Sequence, residues 1–502
     1  MDALATLVPA AYLAVLAILS LFGVHRLVVL ALYRRHRHAA PRPGELGTLP
    51  HVTVQLPIFN ERAVVGRMID AACRLDWPAD RLQIQVLDDS TDDTVAMSRA
   101  AAARWRARGV DIEVHHRVDR AGFKAGALEA GLASAKGELV AIFDADFVPP
   151  PGFLRRVVPH FAAGPRVGMV QARWGHLNEE LNLLTKLSAL LLDGHFVLEH
   201  TARHRSGRYF NFNGTAGVWR RTCIDDAGGW QHDTLVEDLD LSYRAQLRGW
   251  RFVFLKDEVC PAELPADVRA FKTQQHRWAK GTLQAARKLL PTLLRAPVGL
   301  NVKLEAMAHM LANLAYPLVL VLAVLMPPAV FFRGRAGLTE FLLLDIPAFG
   351  LATLSVALFY AVAEREAHGR WLDKAWRLPL LMALGIGVAV NQTRAVFEGL
   401  FGQDVTFVRT PKAGEGPHAG APRGYRPAAG WTPFIELGLA VYLLLGGIFV
   451  AREGWFGSLP FLALFTFGFA YVGFCSLMPA PGPRVESADD EQDVEPSLSA
   501  AR

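Results

Sequence analysis

Cysteine is scarce in this chain, with 4 in 502 residues. Cys73, Cys223, Cys260 and Cys475 stand far apart and form no C-x-x-C pair. That spacing argues against a zinc site or a disulfide framework and leaves free thiols in a reducing compartment. Charge is sparse as well. Asp, Glu, Lys and Arg make up 20% of the residues, below the ~25% of an average soluble chain. The 53 basic and 48 acidic residues leave a net charge of +5, too small an excess to argue for a nucleic-acid partner. Apolar residues are abundant, at 52%. This composition excludes a disordered chain or a collagen-like fibre and suggests a membrane protein with a sizeable soluble part.

The apolar runs sit at the two ends. Between Ala3 and Tyr33 the one charged residue is Arg26, and a bilayer needs about 20 apolar residues. No Lys or Arg precedes this run, so the basic start of a secretory signal is missing. Arg34, Arg35 and Arg37 follow it, which predicts the N-terminus outside and the next segment in the cytoplasm. Later runs at Ala306–Phe332, Phe341–Ala363, Phe434–Val450 and Leu459–Met478 are each long enough to cross. Leu378–Val390 is shorter and flanked by basic residues, as interfacial or re-entrant segments are. Five spans are expected, with six as the alternative. The expected organisation is an N-terminal span over 1–38, a cytosolic domain over 39–296, a membrane region over 297–480 with a loop at 400–412, and a disordered tail over 481–502.

The middle of the chain has α/β rhythm. Strands are predicted at Val52–Pro57, Gln83–Leu87, Ile112–His115, Glu138–Phe143 and Val167–Gln171. Helices are predicted at Arg62–Arg74, Val95–Arg108 and Phe123–Ala135. This alternation implies a mostly parallel sheet, in which ligands bind at the carboxyl ends of the strands.

Acidic motifs follow two of those strands. Asp88-Asp89-Ser90 comes after one and Asp144-Ala145-Asp146 after another. Asp-x-Asp spacing suits a hard cation such as Mg²⁺ or Mn²⁺, bound together with phosphate oxygens; read alone, it also caps a helix. Glu237-Asp238 at a predicted helix start is ordinarily a dipole-stabilised cap. Gln274, Arg277 and Trp278 share one helix face and suit a diphosphate and a sugar ring; an interfacial helix would carry Trp278 too. Lys124 follows Gly122 at a helix start and is well placed for phosphate.

Taken in order, five pieces resemble glycosyltransferase family 2: Pro57-Ile58-Phe59-Asn60-Glu61, Asp88-Asp89-Ser90, Asp144-Ala145-Asp146, Glu237-Asp238 and Gln274-x-x-Arg277-Trp278. More narrowly, they are similar to the cellulose synthase-like membrane glycosyltransferases, including mannan and glucomannan synthases. The resemblance implies an α/β nucleotide-sugar domain of GT-A type with a mostly parallel sheet, joined to an α-helical transmembrane region. It implies an inverting hexosyl transfer with Asp238 as general base. It places Asn60, Glu61, Asp88, Asp89, Lys124, Asp144, Asp146, Gln274, Arg277 and Trp278 at the donor, with Asp144 and Asp146 holding Mg²⁺ or Mn²⁺. Asn213, Gly214, Thr215 and Trp278 border the acceptor, Asn213 standing where cellulose synthases carry Cys. Phe407, Thr410 and Lys412 resemble a gating loop.

The expected activity is processive transfer from UDP-glucose or GDP-mannose to a β-linked polysaccharide, with export through the chain's own spans in a plasma or inner membrane. No residue identifies an export partner protein. The alternative is a lipid-directed enzyme that makes a glycolipid on a ceramide, diacylglycerol or polyprenyl acceptor. A non-enzymatic scaffold would leave the filled catalytic positions without a reason.

Overall fold

The first strand, Val52–Ile58 (β1), alternates Val52, Val54 and Leu56 with Thr53 and Gln55, and all five are buried. The apolar set joins a core with Met68 and Ile69 of the helix Val65–Cys73. The polar set faces the next strand, Leu82–Asp88 (β2), whose register aligns Thr53 with Gln83 and Gln55 with Gln85. Thr53 Oγ1 donates to Gln83 Oε1 at 2.8 Å, and Gln55 Nε2 donates to Gln85 Oε1 at 3.1 Å. An unpaired buried amide costs ~1–3 kcal/mol, so these pairings let a sheet covered on both faces carry polar side chains.

The computed structural model describes residues 2–336, 342–369, 371–405 and 430–478; the expected tail over 481–502 lies outside them. Further strands are Ile112–His116 (β3), Leu139–Ile142 (β4), Val167–His176 (β5), Gly217–Arg220 (β6) and Arg251–Ala262 (β7). They form a seven-stranded sheet in the order β3-β2-β1-β4-β6-β5-β7. The first four in that order are parallel, β6 runs antiparallel to β4 and β5, and β7 is parallel to β5. The first five strands of the chain lie where the apolar runs predict them. β6 and β7 were not anticipated: one is only 4 residues long, and Lys256-Asp257-Glu258 interrupts the alternation of the other.

The register decides what the sheet presents. Ile58 pairs with Asp88, and Gln55 pairs with Ile142. The acidic turns after β2 and β4 therefore flank the end of β1, at one carboxyl edge. β6 pairs Gly217 with Ile142, which brings 213–216 to the same edge.

Among the described residues, four helices are long and apolar enough to cross a membrane: Leu4–His36, Leu300–Arg335, Thr432–Arg452 and Phe456–Leu477. A 27-residue helix, Leu342–His368, covers the remaining long apolar run. The short run at 378–390 is not self-contained. It forms the helix Arg377–Gly387, which joins Ala389–Phe401 at a 48° bend. The fold is thus a GT-A-like, mostly parallel sheet combined with long apolar helices. The helix Val268–Arg295 links the two parts, its start capped by Asp267, which accepts from Ala270 N at 2.9 Å. Lys272 on that helix forms a buried ion pair with Glu436 at 2.7 Å.

Candidate active site

The turns after β1 and β2 are laced together. Asn60 adopts φ +56°, a left-handed backbone that Asn tolerates better than most residues. Its N–H donates to Ser90 Oγ at 2.8 Å, and Thr91 N–H donates to Asn60 Oδ1 at 2.8 Å. Glu61 is buried next to it. Asp88 Oδ1 accepts from Ser90 N–H at 2.8 Å, while its buried Oδ2 has no hydrogen-bond partner among the described residues. A buried carboxylate oxygen left open in this way is an acceptor for a ligand hydroxyl or amine. Asp89 is engaged instead by Arg117, whose Nε and Nη2 donate to its two oxygens at 2.8 and 2.6 Å. Arg117 escaped the sequence reading because it sits in a loop without a motif.

A second group lies at the ends of β4 and β6. Lys124, on the helix Phe123–Leu132, reaches Asp144 Oδ1 at 2.5 Å and donates to Gly214 O at 2.9 Å; Glu237 Oε1 is 3.9 Å away. Thr215 Oγ1 accepts from Asp144 N–H at 2.8 Å. Gly214 has φ +81°, and a Cβ there would lie 3.1 Å from Asp238 Oδ2 and 3.2 Å from Lys124 Nζ. Asp146 is buried close by. Burial and the neighbouring Glu237 carboxylate push Asp238 up to about 7. Burial likewise raises Glu237. Burial acts to lower Lys124, but Asp144 and Glu237 outweigh it and its pKa rises. Burial lowers Arg277 against the opposing pull of Glu237, Asp144, Asp238 and Asp146.

Asp238 opens onto a cavity of about 280 Å³, also lined by Trp174, His195, Asn213, Gln275 and Trp278. The rings of Trp174 and Trp278 are 6.5 Å apart. A π-helical turn, Gly194–His200, aims two histidines at Asn213; such turns recur at functional sites. Asn213 Oδ1 accepts from His200 Nε2 at 2.6 Å, and Asn213 Nδ2 donates to His195 Nε2 at 3.0 Å. With the amide so oriented, His195 carries its proton on Nδ1 and donates to Glu199 Oε2 at 3.0 Å. His195 and Glu199 were missed from sequence, since an ordinary helical period hides a π turn, and Trp174 was missed because it lies beyond the predicted end of its strand, in the extension of β5 to His176. Of the two adjacent glutamines, Gln275 lines this cavity and Gln274 does not. Phe407, Thr410 and Lys412 lie outside the described residues.

Asp144 and Asp146 offer two carboxylates with a cationic side chain already drawn to one of them. That donor set suits a Mg²⁺- or Mn²⁺-type ion that completes its shell with phosphate oxygens and water. Elsewhere, Asp193, Glu364 and His368 lie close enough to hold an ion. Lys374 pairs with Glu364 there at 2.6 Å and Arg173 with Asp193 at 3.6 Å.

Residues 50–281 match the family model described as glycosyltransferase like family 2. Glucomannan 4-beta-mannosyltransferase 2 of Arabidopsis thaliana is 48% identical over 257 residues, which is 50% of this chain and 48% of that protein. Glucomannan 4-beta-mannosyltransferase 1 of Oryza sativa subsp. japonica is 46% identical over the same length, covering 50% and 49%. The chain thus spans about half the length of the curated relatives it matches. In fold, it is similar to a mannosyltransferase from Pyrobaculum calidifontis solved with GDP-Man and Mn²⁺, at TM-score 0.50 and 21% identity over 79% of this chain and 100% of that one. Residues 50–281 thus match a glycosyltransferase family 2 domain and are similar to part of the plant glucomannan 4-beta-mannosyltransferases.

Proposed function

We propose that this protein transfers a hexosyl group, with inversion, from a nucleotide sugar to the hydroxyl of a β-linked sugar chain. The observation that carries the reading is Asp238. It is a carboxylate tuned to about 7 that opens onto a cavity walled by Trp174 and Trp278, and general bases work best near the operating pH. Asp238 takes the acceptor proton as the acceptor oxygen attacks the anomeric carbon. The bond from that carbon to the diphosphate breaks, and the nucleoside diphosphate leaves with the electron pair. Lys124 and Arg277 face the place where this negative charge grows, and such pre-placed cations stabilise it. Asp144 and Asp146 would hold the divalent ion, which adds Lewis-acid stabilisation of the leaving diphosphate. The open Asp88 Oδ2 and the Asn60–Ser90 lacing provide the nucleoside end.

Mannose is the sugar favoured by the names of the plant relatives and of the archaeal neighbour, with GDP-mannose as donor and UDP-glucose as the competitor. The product is a polysaccharide, made processively. Arg34 and Arg35 in the last turn of the first apolar helix, with Arg37 just beyond it, favour the cytoplasmic side for the domain, with a plasma or inner membrane as the proposed setting.

The test is Asp238→Asn in purified full-length protein with each labelled nucleotide sugar. Turnover is expected to fall by ~10² or more, the scale of a lost general base, with nucleotide binding retained. Near-normal transfer by the variant would remove Asp238 from this role.

A further inference from the structure

The Asn213 amide belongs to a hydrogen-bond chain that is closed at both ends by groups able only to accept. At one end, His200 Nε2 lies 3.1 Å from Asn211 O and 2.6 Å from Asn213 Oδ1. A backbone carbonyl has no proton to give, so His200 carries its proton on Nε2 and donates it. Burial lowers His200 well below its ordinary range, which keeps the ring neutral. At the other end, His195 Nδ1 lies 3.0 Å from Glu199 Oε2. Burial acts to raise Glu199, but Arg203, 3.3 Å away, and His195 outweigh it and hold the carboxyl well below its usual range. Glu199 therefore accepts too, and His195 keeps its proton on Nδ1.

The two ends impose one direction on the middle. Asn213 Oδ1 accepts from His200, and Asn213 Nδ2 donates to the bare Nε2 of His195 at 3.0 Å. Turning the amide over would set N–H against N–H at His200 and oxygen against a lone pair at His195. An Asn side chain has two N–H groups. One is taken by His195, and the other has no acceptor among the described residues. Asn213 lines the Asp238 cavity, and its neighbour Gly214 is packed against the Asp238 carboxylate. The chain thus holds a hydrogen-bond donor beside the base.

We propose that His195 is a positioning residue for the acceptor: together with His200 it turns Asn213 so that an N–H, and not the carbonyl oxygen, meets an oxygen of the acceptor sugar next to the hydroxyl that Asp238 deprotonates. The inference rests on the glycosyl transfer proposed above and adds the group that aligns the acceptor for it. Orientation of this kind lowers the barrier without touching the reacting atoms.

The test separates hydrogen bonding from packing. In His195→Gln, a side-chain oxygen can still accept from Asn213; in His195→Phe, the ring volume remains and nothing accepts. Full-length protein in lipid nanodiscs is given labelled nucleotide sugar with β-linked mannohexaose or glucohexaose as acceptor. His195→Phe should raise the acceptor KM about tenfold, the order of one lost hydrogen bond, with donor KM unchanged. His195→Gln should stay close to the unaltered protein. Asn213→Leu, which removes the donor itself, should match His195→Phe, and the double variant should be no worse than either single one, since both remove the same contact. An unaltered acceptor KM in His195→Phe, a His195→Gln variant as impaired as His195→Phe, or multiplied losses in the double variant would overturn the proposal. If His195→Phe fails to fold, Asn213→Leu decides: an acceptor KM that it leaves unaltered overturns the proposal. Absence of transfer by the unaltered protein to both hexaoses, with donor bound, would instead overturn the transferase reading itself.

Discussion

Gly214 and Asp238 are packed so closely that a methyl group on the glycine would sit 3.1 Å from the carboxylate Oδ2. The glycine also holds φ +81°, where an L side chain costs ~1–2 kcal/mol. Gly214→Ala is expected to displace Asp238 or Lys124 and to cut kcat at least tenfold, because small misplacements of a reacting group are costly. Steady-state kinetics, together with an unchanged circular dichroism spectrum, checks this outcome.

The Glu237–Asp238 pair makes the pH dependence specific. A base with its pKa raised to about 7 is ionised above that value and neutral below it. The acid limb of kcat/KM, which reports the free enzyme, should therefore fall as pH drops through about 7. Glu237 is one cause of the elevation, so Glu237→Gln should move the limb to lower pH. A limb that stays in place would show that Glu237 does not tune the base.

Metal removal is the third expectation. EDTA should stop transfer, and Mg²⁺ or Mn²⁺ should restore it. Ca²⁺ should do less well, since its looser shell suits a carboxylate–phosphate site poorly. Full activity in verified metal-free protein would contradict the assignment of Asp144 and Asp146.

Lys272 and Glu436 form a buried pair, to which Lys272 adds hydrogen bonds to Thr432 Oγ1 at 3.1 Å and Ser476 Oγ at 3.3 Å. Lys272→Met strands the Glu436 charge, which typically costs ~3–5 kcal/mol. Thermal unfolding in detergent should show the loss, and the double variant Lys272→Met with Glu436→Gln should recover much of it.

Several parts of the site were legible in the linear chain because they are local. Apolar runs followed by Asp88-Asp89 and by Asp144-Ala145-Asp146 mark strand ends, and a parallel sheet brings strand ends to one edge whatever its loops do. Glu237-Asp238 and the Gln274–Trp278 segment, read alone, suit a helix cap and an interfacial helix as well, and only the resemblance of the five motifs taken in order pointed to a site. Five strands were readable from hydrophobic runs, while β6 was too short and β7 too polar in the middle. The long apolar helices followed from run length alone.

What folding alone decided are the partnerships between residues far apart in the chain. Arg117 claims Asp89, Lys124 claims Asp144, and His195 and His200 fix the amide of Asn213; no periodicity encodes such pairs. Gln275 rather than Gln274 reaches the cavity because successive helix residues point about 100° apart, and the rotation of the Val268–Arg295 helix is held by its packing and by the Lys272–Glu436 pair. Sequence composition determined that both a polar sheet edge and a set of membrane-length helices would exist, since burial patterns are written along the chain. How the two join depends on how helices with unlike faces pack together, which only the folded molecule specifies.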